Sequence, residues 1–404
     1  MKRARSIGLI VLVSLLFATG CWDRAELDDL ALILGWGMDQ SEDKTYVASA
    51  QIAIPSKLST TVQSGGGAGQ GFFVLTGTGK SSLDATKNIQ RKSSRKIYAG
   101  HRRVICIGET LAKNGLSSAL DEYTRNPDVR LRTDVFIVKG NSALEVLQNP
   151  YPLENLPALA ALREHKAVGG IGDTTLRNYL MDESKGHSTT LPVIQLSTLA
   201  SSQANQSQDD GQSSGGQEGL EFVGRAIIDS HSRLVGFLDY DEAQNAVWVK
   251  GILQHVILTT RVPKEKGYVN FDVSNTRSKI TPTLQDGKVH IAVRLTGFGI
   301  VRENNTPLDL SQAANLQRVQ DAFDTSTAQA AKDVILKVQK QYGLDIFGFG
   351  EAIHRKYPRQ SRAMKNDWEK QFASAEVTVS AHLNVRRVGL TGPPLQLPRS
   401  EIKE

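Results

Sequence analysis

The chain has 404 residues, of which 40% are hydrophobic and 22% are charged, and its formal net charge is +6 at pH 7. This length is sufficient for two or three domains. The small positive excess does not predict nucleic-acid binding, and a total of two cysteines excludes a cysteine-rich fold.

The first twenty residues have the pattern of a secretory signal. The basic residues Lys2, Arg3 and Arg5 come first, and an apolar run follows at 7–18. The segment ends with the small residues Ala18, Thr19 and Gly20. The run is shorter than the roughly 20 residues of a transmembrane helix. A cysteine directly after small residues is the arrangement of a bacterial lipoprotein signal, in which the thiol carries a diacylglyceryl group and cleavage makes the cysteine the new N-terminus. The sequence therefore predicts a signal peptide at 1–20 and lipid attachment at Cys21; an ordinary signal peptide and an uncleaved anchor are the alternatives.

Lipid attachment has consequences for the rest of the chain. Two acyl chains are enough for stable membrane attachment, and Trp22 suits either the headgroup level or a protein core. Since the leader carries three of the positive charges, the mature chain has a net charge of +3. Cys106 is then the only free thiol, which excludes an intramolecular disulfide and a thiolate metal cluster. Its apolar surroundings at 104–107 predict a buried cysteine that packs as a small hydrophobic residue.

Residues 21–198 are predicted to form an N-terminal α+β domain, because strand and helix patterns alternate along them. The strands are expected at 30–38, 45–54, 72–76, 103–107, 135–139 and 191–196. The helices are expected at 82–92, 111–125, 153–165 and 174–183. The first two strands are expected to pair through the polar turn at 40–44.

A polar segment separates this domain from the rest of the chain. Residues 201–219 contain Ser, Gln, Gly, Asn and Asp and neither a branched aliphatic nor an aromatic residue, which predicts a flexible linker over 199–220. After it, strands at 222–228 and 233–238 form a predicted hairpin, and a short helix follows to Val249. We expect a small middle α+β unit at 221–260.

The last predicted domain, at 261–395, has the clearest pattern. Apolar and polar residues alternate in three segments, 269–273, 289–295 and 377–385. This alternation predicts an antiparallel sheet with one solvent-exposed face. Apolar residues recur at helical spacing within 309–341 and predict a long amphipathic helix that covers the apolar face of this sheet. The fold class is therefore α+β and multi-domain, with two to three α+β domains and a C-terminal antiparallel sheet packed against a long helix.

The sequence predicts no catalytic, cofactor-binding or metal-binding residues. The glycines at 76–81 lie between a strand and a helix, but Val74 stands where a phosphate-binding loop requires glycine, so we expect a turn with a helix cap. The eight histidines are scattered without ligand spacing. Residues 101–103, His-Arg-Arg, could bind an anion, but a turn with solvated charges is the simpler interpretation. The glycines at 345–350 are expected to end the long helix, with Phe347 and Phe349 inserted in the core.

Short segments in family order resemble the C-subunit lipoproteins of spore germinant receptors, the Ger(x)C family. The match starts with Cys-Trp-Asp-Arg-Ala-Glu-Leu at 21–27 and spans nearly all of the mature chain. Its further landmarks are 98–101, 104–109, 125–130, 224–226, 234–236, 345–350, Pro358, Trp368, Phe372 and Gly389. Each landmark is weak alone, and the length of the polar linker departs from the family pattern.

The resemblance implies a non-enzymatic, lipid-anchored protein at the outer face of the inner spore membrane. Its implied partners are the membrane and the integral membrane A and B subunits of a receptor for nutrient germinants, and the family implies three α+β domains. Among ligand-contacting residues, only the lipid attachment at Cys21 carries over. Two rival hypotheses remain from the sequence: a solute-binding lipoprotein that delivers a nutrient to a transporter, and an anchored hydrolase acting on cortex or wall.

Overall fold

The computed structural model describes residues 26–58, 71–126, 129–151, 153–169, 174–198 and 218–403. Its strands are β1 Leu30–Gln40, β2 Tyr46–Ala53, β3 Phe72–Gly79, β4 Lys96–Tyr98, β5 Val104–Gly108, β6 Asp134–Val138, β7 Thr189–Thr198, β8 Glu218–Ile228, β9 Leu234–Leu238, β10 His255–Thr260, β11 Val269–Gln285, β12 Lys288–Asn304 and β13 Glu376–Arg387. Its α-helices are α1 Pro55–Leu58, α2 Ser82–Gln90, α3 Glu109–Asn114, α4 Ser117–Arg125, α5 Ala143–Gln148, α6 Pro157–Ala167, α7 Leu176–Ser184, α8 Tyr240–Lys250, α9 Ala313–Gln341, α10 Phe349–Lys356, α11 Pro358–Met364 and α12 Trp368–Ser374. Short 3₁₀ turns occupy Leu27–Asp29, Lys365–Asp367 and Arg399–Glu401.

The first sheet contains nine strands in the order β3-β2-β1-β5-β6-β7-β8-β9, and β4 pairs with the start of β1. Strands β1, β4, β5, β6 and β7 run parallel, whereas β2, β3 and the β8–β9 hairpin add antiparallel pairs at the two sides. The predicted pairing of the first two strands is confirmed, with Trp36 opposite Ala50.

Helices cover both faces of this sheet, which explains why its central strands are apolar at every position. In β5, Ile105 and Ile107 belong to the core under α2, α3 and α4. Val104 and Cys106 belong to the opposite core, under α5 and α6. Cys106 is fully buried, as predicted.

Two local features of this domain differ from the prediction. The helix expected over 111–125 is interrupted at Gly115, whose φ of +118° is outside the helical region, so two short helices replace one. Helix α5 was not predicted. Ser142 and Glu145 form a capping box at its start, and this Ser-x-x-Glu spacing was a usable signal in the sequence.

Residues 221–260 connect the two halves of the chain. Their hairpin, β8–β9, completes the first sheet, while α8 packs with Trp248 and Val249 in the second hydrophobic core. Lys337 of α9 contacts Glu242 of α8 at 2.6 Å. The predicted linker lies outside the described residues except for its last three, 218–220, which begin β8.

The second sheet has the order β10-β11-β12-β13, and its edge corrects one prediction. Strands β10, β11 and β12 are antiparallel, but β13 pairs parallel to β12, so the sheet is mixed. The reason is the long helix α9, which returns the chain to the starting end of β12 before β13 begins, as in a βαβ unit.

Helix α9 contributes Val319, Phe323, Val334, Ile335 and Val338 to the second core, as its periodicity predicts. It also closes the free edge of β13. The side chains of Asp324 and Gln320 accept the N–H groups of Leu383 and Val385, at 2.7 and 2.9 Å. Because these outward N–H groups are satisfied, β13 does not offer them to another strand at Leu383 and Val385.

Candidate functional site

The predicted lipid-attachment residue, Cys21, and the neighbouring Trp22 lie outside the described residues. The described chain begins at Glu26 and enters the fold at Leu30, the first residue of β1. Nine residues therefore connect Cys21 to the first sheet, a distance of at most about 32 Å when fully extended. The point at which the chain enters the fold is the amino end of the parallel strands.

The predicted turn before β5 is present at 99–103, but Arg102 is buried and not solvated as predicted. The N–H of Arg102 donates to the carbonyl of Ala99, and the side chain is buried with 5% of its surface exposed. Its guanidinium lies 4.4 Å from the ring centre of Tyr123 and 5.8 Å from that of Trp36, and no described carboxylate pairs with it. The negative faces of the two rings replace the lost hydration of the charge.

This buried cation links the edge of β5 to α4. A guanidinium N–H of Arg102 donates to the Tyr123 hydroxyl at 3.3 Å, and that hydroxyl contacts the sulfur of Met38 at 3.5 Å. Burial raises the pKa of Tyr123 to about 12, although the nearby Arg102 opposes the shift. Tyr123 therefore stays neutral at physiological pH, and the cluster has a structural role.

In the glycine-rich segment at 76–81, residues 76–79 are the end of β3, and Lys80 and Ser81 form a turn with a helix cap. The Ser81 hydroxyl accepts the N–H of Asp84, and the Asp84 carboxylate accepts the N–H of Lys80 at 3.1 Å. A side chain on Gly77 would collide with the backbone of α2, near the carbonyl of Ala85. Helix α2 therefore fills the space that a phosphate would need. The predicted helix cap is confirmed, but the turn is limited to residues 80–81 because β3 extends to Gly79.

The segment after the long helix is organised by one carboxylate. Asp345 accepts the N–H groups of four consecutive residues, 347–350, at 2.7–3.1 Å, and the indole N–H of Trp368 at 3.1 Å. Phe347 and Phe349 are fully buried with ring centres 5.3 Å apart, so their predicted insertion in the core is confirmed. The prediction that the glycines at 345–350 end the long helix is wrong, because α9 ends at Gln341 and Gly348 precedes α10. The sequence identified the two rings but not the role of Asp345.

Next to this segment, a cleft of about 1130 Å³ separates the first sheet from α10 and α11. The turn at 182–188 and Lys250 form one wall, and residues 345–369 form the other. Both signs of charge line it, and Lys250 approaches Asp182 at 3.5 Å. His187 and His354 face the cleft, but the described residues contain no group of three or more His, Cys, Asp or Glu side chains able to hold a metal ion.

The remaining predicted thiol is unreactive. Desolvation, with a smaller contribution from the charge of Asp39, raises the pKa of Cys106 far above its ordinary value. A thiol that stays protonated is neither a nucleophile nor a metal ligand. In the part of the chain that the structure describes, every helix is too short or too polar to cross a membrane.

Comparisons with known proteins agree with this architecture. Residues 23–196 match the family model "Spore germination protein N-terminal domain", and residues 223–389 match "Spore germination B3/ GerAC like, C-terminal". Spore germination protein KC of Bacillus subtilis is 27% identical over 403 residues, covering 98% of each chain. Spore germination protein B3 of the same organism is 25% identical over 402 residues, covering 97% of this chain and all of its own.

A solved structure supports the fold. The crystal structure of the GerBC protein has a TM-score of 0.57 with this chain, at 19% identity, and covers 87% of this chain and 97% of its own. The two family matches lie on either side of the polar segment and together cover most of the chain. The chain belongs to the Ger(x)C family of spore germination proteins, which is not a family of enzymes.

Proposed function

We propose that this protein is the lipid-anchored C subunit of a receptor for nutrient germinants. A diacylglyceryl group on Cys21 holds it at the outer face of the inner spore membrane. The observation that carries the proposal is the position of the family match, which begins at residue 23, directly after a lipoprotein signal, and extends to residue 389. An anchor at the first mature residue leaves the whole matched region outside the membrane.

The subunit acts by protein–protein contact with the integral membrane A and B subunits. Three features of the described residues favour contact over chemistry: the thiol of Cys106 is buried, the glycine-rich segment at 76–81 is filled by α2, and the carboxylate of Asp345 is occupied by five N–H donors. We also propose the division into domains at 21–198 and 261–395, with 221–260 as a small connecting unit. Residues 199–220 join the first domain to that unit.

The rival function, a solute-binding lipoprotein, is disfavoured by the unlike halves of the chain. Such proteins usually have two similar lobes that close on a ligand. Here the first sheet has nine strands covered on both faces, whereas the second has four strands and one long covering helix. Calorimetry of the purified protein with amino acids and sugars separates the two functions, because tight binding of a nutrient would favour the rival.

Replacing Cys21 with alanine tests the proposal. We expect the variant to leave the membrane fraction of spores and to impair germination by nutrients, because the acyl chains supply the membrane affinity. Cys106→Ala is the matched control: it removes the other thiol, which is buried within the first sheet, and should stay in the membrane fraction. Normal nutrient germination with a fully soluble Cys21→Ala protein would contradict the proposal.

A further inference from the structure

Exposed cations are concentrated at the amino end of the parallel strands, which we call the amino edge. The strand register aligns Leu30 with Lys96 and aligns Gly35, Val104 and Asp134 with one another. The segments that lead into β4, β5 and β6 therefore lie at the same end of the sheet. Their exposed basic residues are Arg91, Lys92, Arg95, Lys96, Arg103, Arg130 and Arg132.

The cations of the amino edge are not neutralised within the fold. None of the seven forms an ion pair with a residue that the structure describes. The acidic residues beside them are Glu26, Asp28 and Asp29 before β1 and the half-buried Asp134 at the start of β6, so the cations remain in excess. A cluster of like charges repels itself, and an external anion would relieve this repulsion.

At the opposite end of the same sheet, which we call the carboxyl edge, acidic side chains outnumber basic ones. Its exposed or half-buried acidic residues are Asp39, Glu42, Asp43, Asp84, Glu109 and Glu145, and its exposed cations are Lys44, Lys80, Lys113 and Lys139. Lys113 is paired with Glu109 at 2.6 Å. The five residues of β5 place the two edges about 17 Å apart there, about two screening lengths at physiological salt. The domain therefore has a basic end and an acidic end.

Two features indicate what the basic end faces. First, the chain enters the sheet there, nine residues after Cys21, so an anchored protein would hold this end within about 32 Å of the bilayer. Second, Leu131 is 38% exposed between Arg130 and Arg132, an apolar side chain flanked by two guanidinium groups. Apolar and cationic side chains together suit the boundary between phosphate headgroups and acyl chains.

We propose that the amino edge is a membrane-docking surface that binds the phosphates of anionic phospholipids. This inference rests on the lipid anchor of the proposed function and adds an orientation to it: the basic segments before β4, β5 and β6 lie on the headgroups, and the acidic end of the sheet points away. Docking at this edge restricts rotation of the protein about its anchor, which fixes the faces available to the A and B subunits.

Vesicle binding by the mature chain carrying Cys21→Ser tests the docking surface without the lipid. The test variant replaces Arg95, Lys96 and Arg132 with glutamine; their side chains make no hydrogen bond to a described residue. The control variant makes the same change in net charge at the carboxyl edge, by replacing Lys44, Lys113 and Lys139 with glutamine. Cosedimentation with phosphatidylglycerol vesicles at low salt gives the partition coefficient of each protein.

At about a fivefold loss per headgroup-facing cation, we expect the test variant, which lacks three cations, to bind about a hundredfold less tightly and the control to change less than about threefold. Binding to phosphatidylcholine vesicles should be weak for all three proteins. Equal losses in the two variants, or no loss in the test variant, would overturn the inference. The unfolding temperatures of both variants are measured as a control, and values equal to that of wild type show that the fold is intact.

A further measurement separates a lipid surface from a protein surface. Copurification of the test variant, in its lipidated form, with the A and B subunits should be retained; full vesicle binding combined with lost copurification assigns the edge to a protein partner and overturns the inference. The vesicle assay needs neither the acyl chains nor the other subunits. Failure of vesicle binding therefore leaves the proposed receptor role standing, whereas normal germination of a soluble Cys21→Ala protein removes that role regardless of the vesicle result.

Discussion

Replacing Asp345 with alanine should destabilise the second domain more than any ordinary helix cap does. Its carboxylate receives four backbone N–H groups and one indole N–H at 2.7–3.1 Å, and two of the backbone groups belong to the fully buried Phe347 and Phe349. A hydrogen bond to a charged group contributes about 1.5–3 kcal/mol, but five bonds that share one carboxylate are not additive. We expect a loss of about 3–5 kcal/mol in the free energy of unfolding of this domain.

Asp239→Ala is the matched control. Asp239 caps α8 through one backbone N–H, that of Glu242 at 2.9 Å, so its removal should lower the unfolding free energy by about 1 kcal/mol. Urea dependence of hydrogen exchange in peptides from β11 and β12 reports the second domain separately from the first. A loss for Asp345→Ala no larger than that for Asp239→Ala would refute the argument that one carboxylate organises residues 345–350.

Two further predictions concern packing and pH. Gly77→Ala should cost about 2–3 kcal/mol, since its Cβ would collide with the backbone carbonyl of Ala85 in α2; a thermal melt unchanged from wild type would contradict this. Desolvation raises the pKa of Glu265, but hydrogen bonds from Lys403 and Arg318 outweigh it and hold the pKa below its ordinary value. The stabilisation is therefore present above about pH 4.5 and lost as pH falls through the lowered pKa. Protection from hydrogen exchange near Lys403, corrected for the intrinsic pH dependence of amide exchange, should fall with acid in wild type but stay unchanged in Glu265→Gln.

The elements of this fold that follow from local periodicity were predictable. The strand pairs at both ends of the sequence and the long helix α9 were found because alternation and helical spacing depend on which face is buried. The parallel pairing of β13 was not, since a strand with one wet face has the same pattern beside a parallel or an antiparallel neighbour. The direction in which β13 pairs depends on the path of α9 in space, and the alternation of apolar and polar residues carries no information about that path.

The roles of the buried polar side chains Arg102 and Asp345 could not be predicted from the sequence either. Arg102 stands in a run of basic residues, and its neighbours His101 and Arg103 are exposed, so nothing local distinguished it. Its partners Trp36 and Tyr123 are distant in sequence. Asp345 likewise looked like one polar residue beside glycines, although the family landmarks at 345–350 and Trp368 marked the two segments that its hydrogen bonds join.

Mass spectrometry of the N-terminal peptide from the native protein in spore membranes tests the central claim most directly. The account predicts a peptide that begins at Cys21 and carries a diacylglyceryl group on its sulfur. A peptide that retains residues 1–20, or one with an unmodified thiol at Cys21, would contradict the claim that this spore germination protein is held at the membrane by its first mature residue.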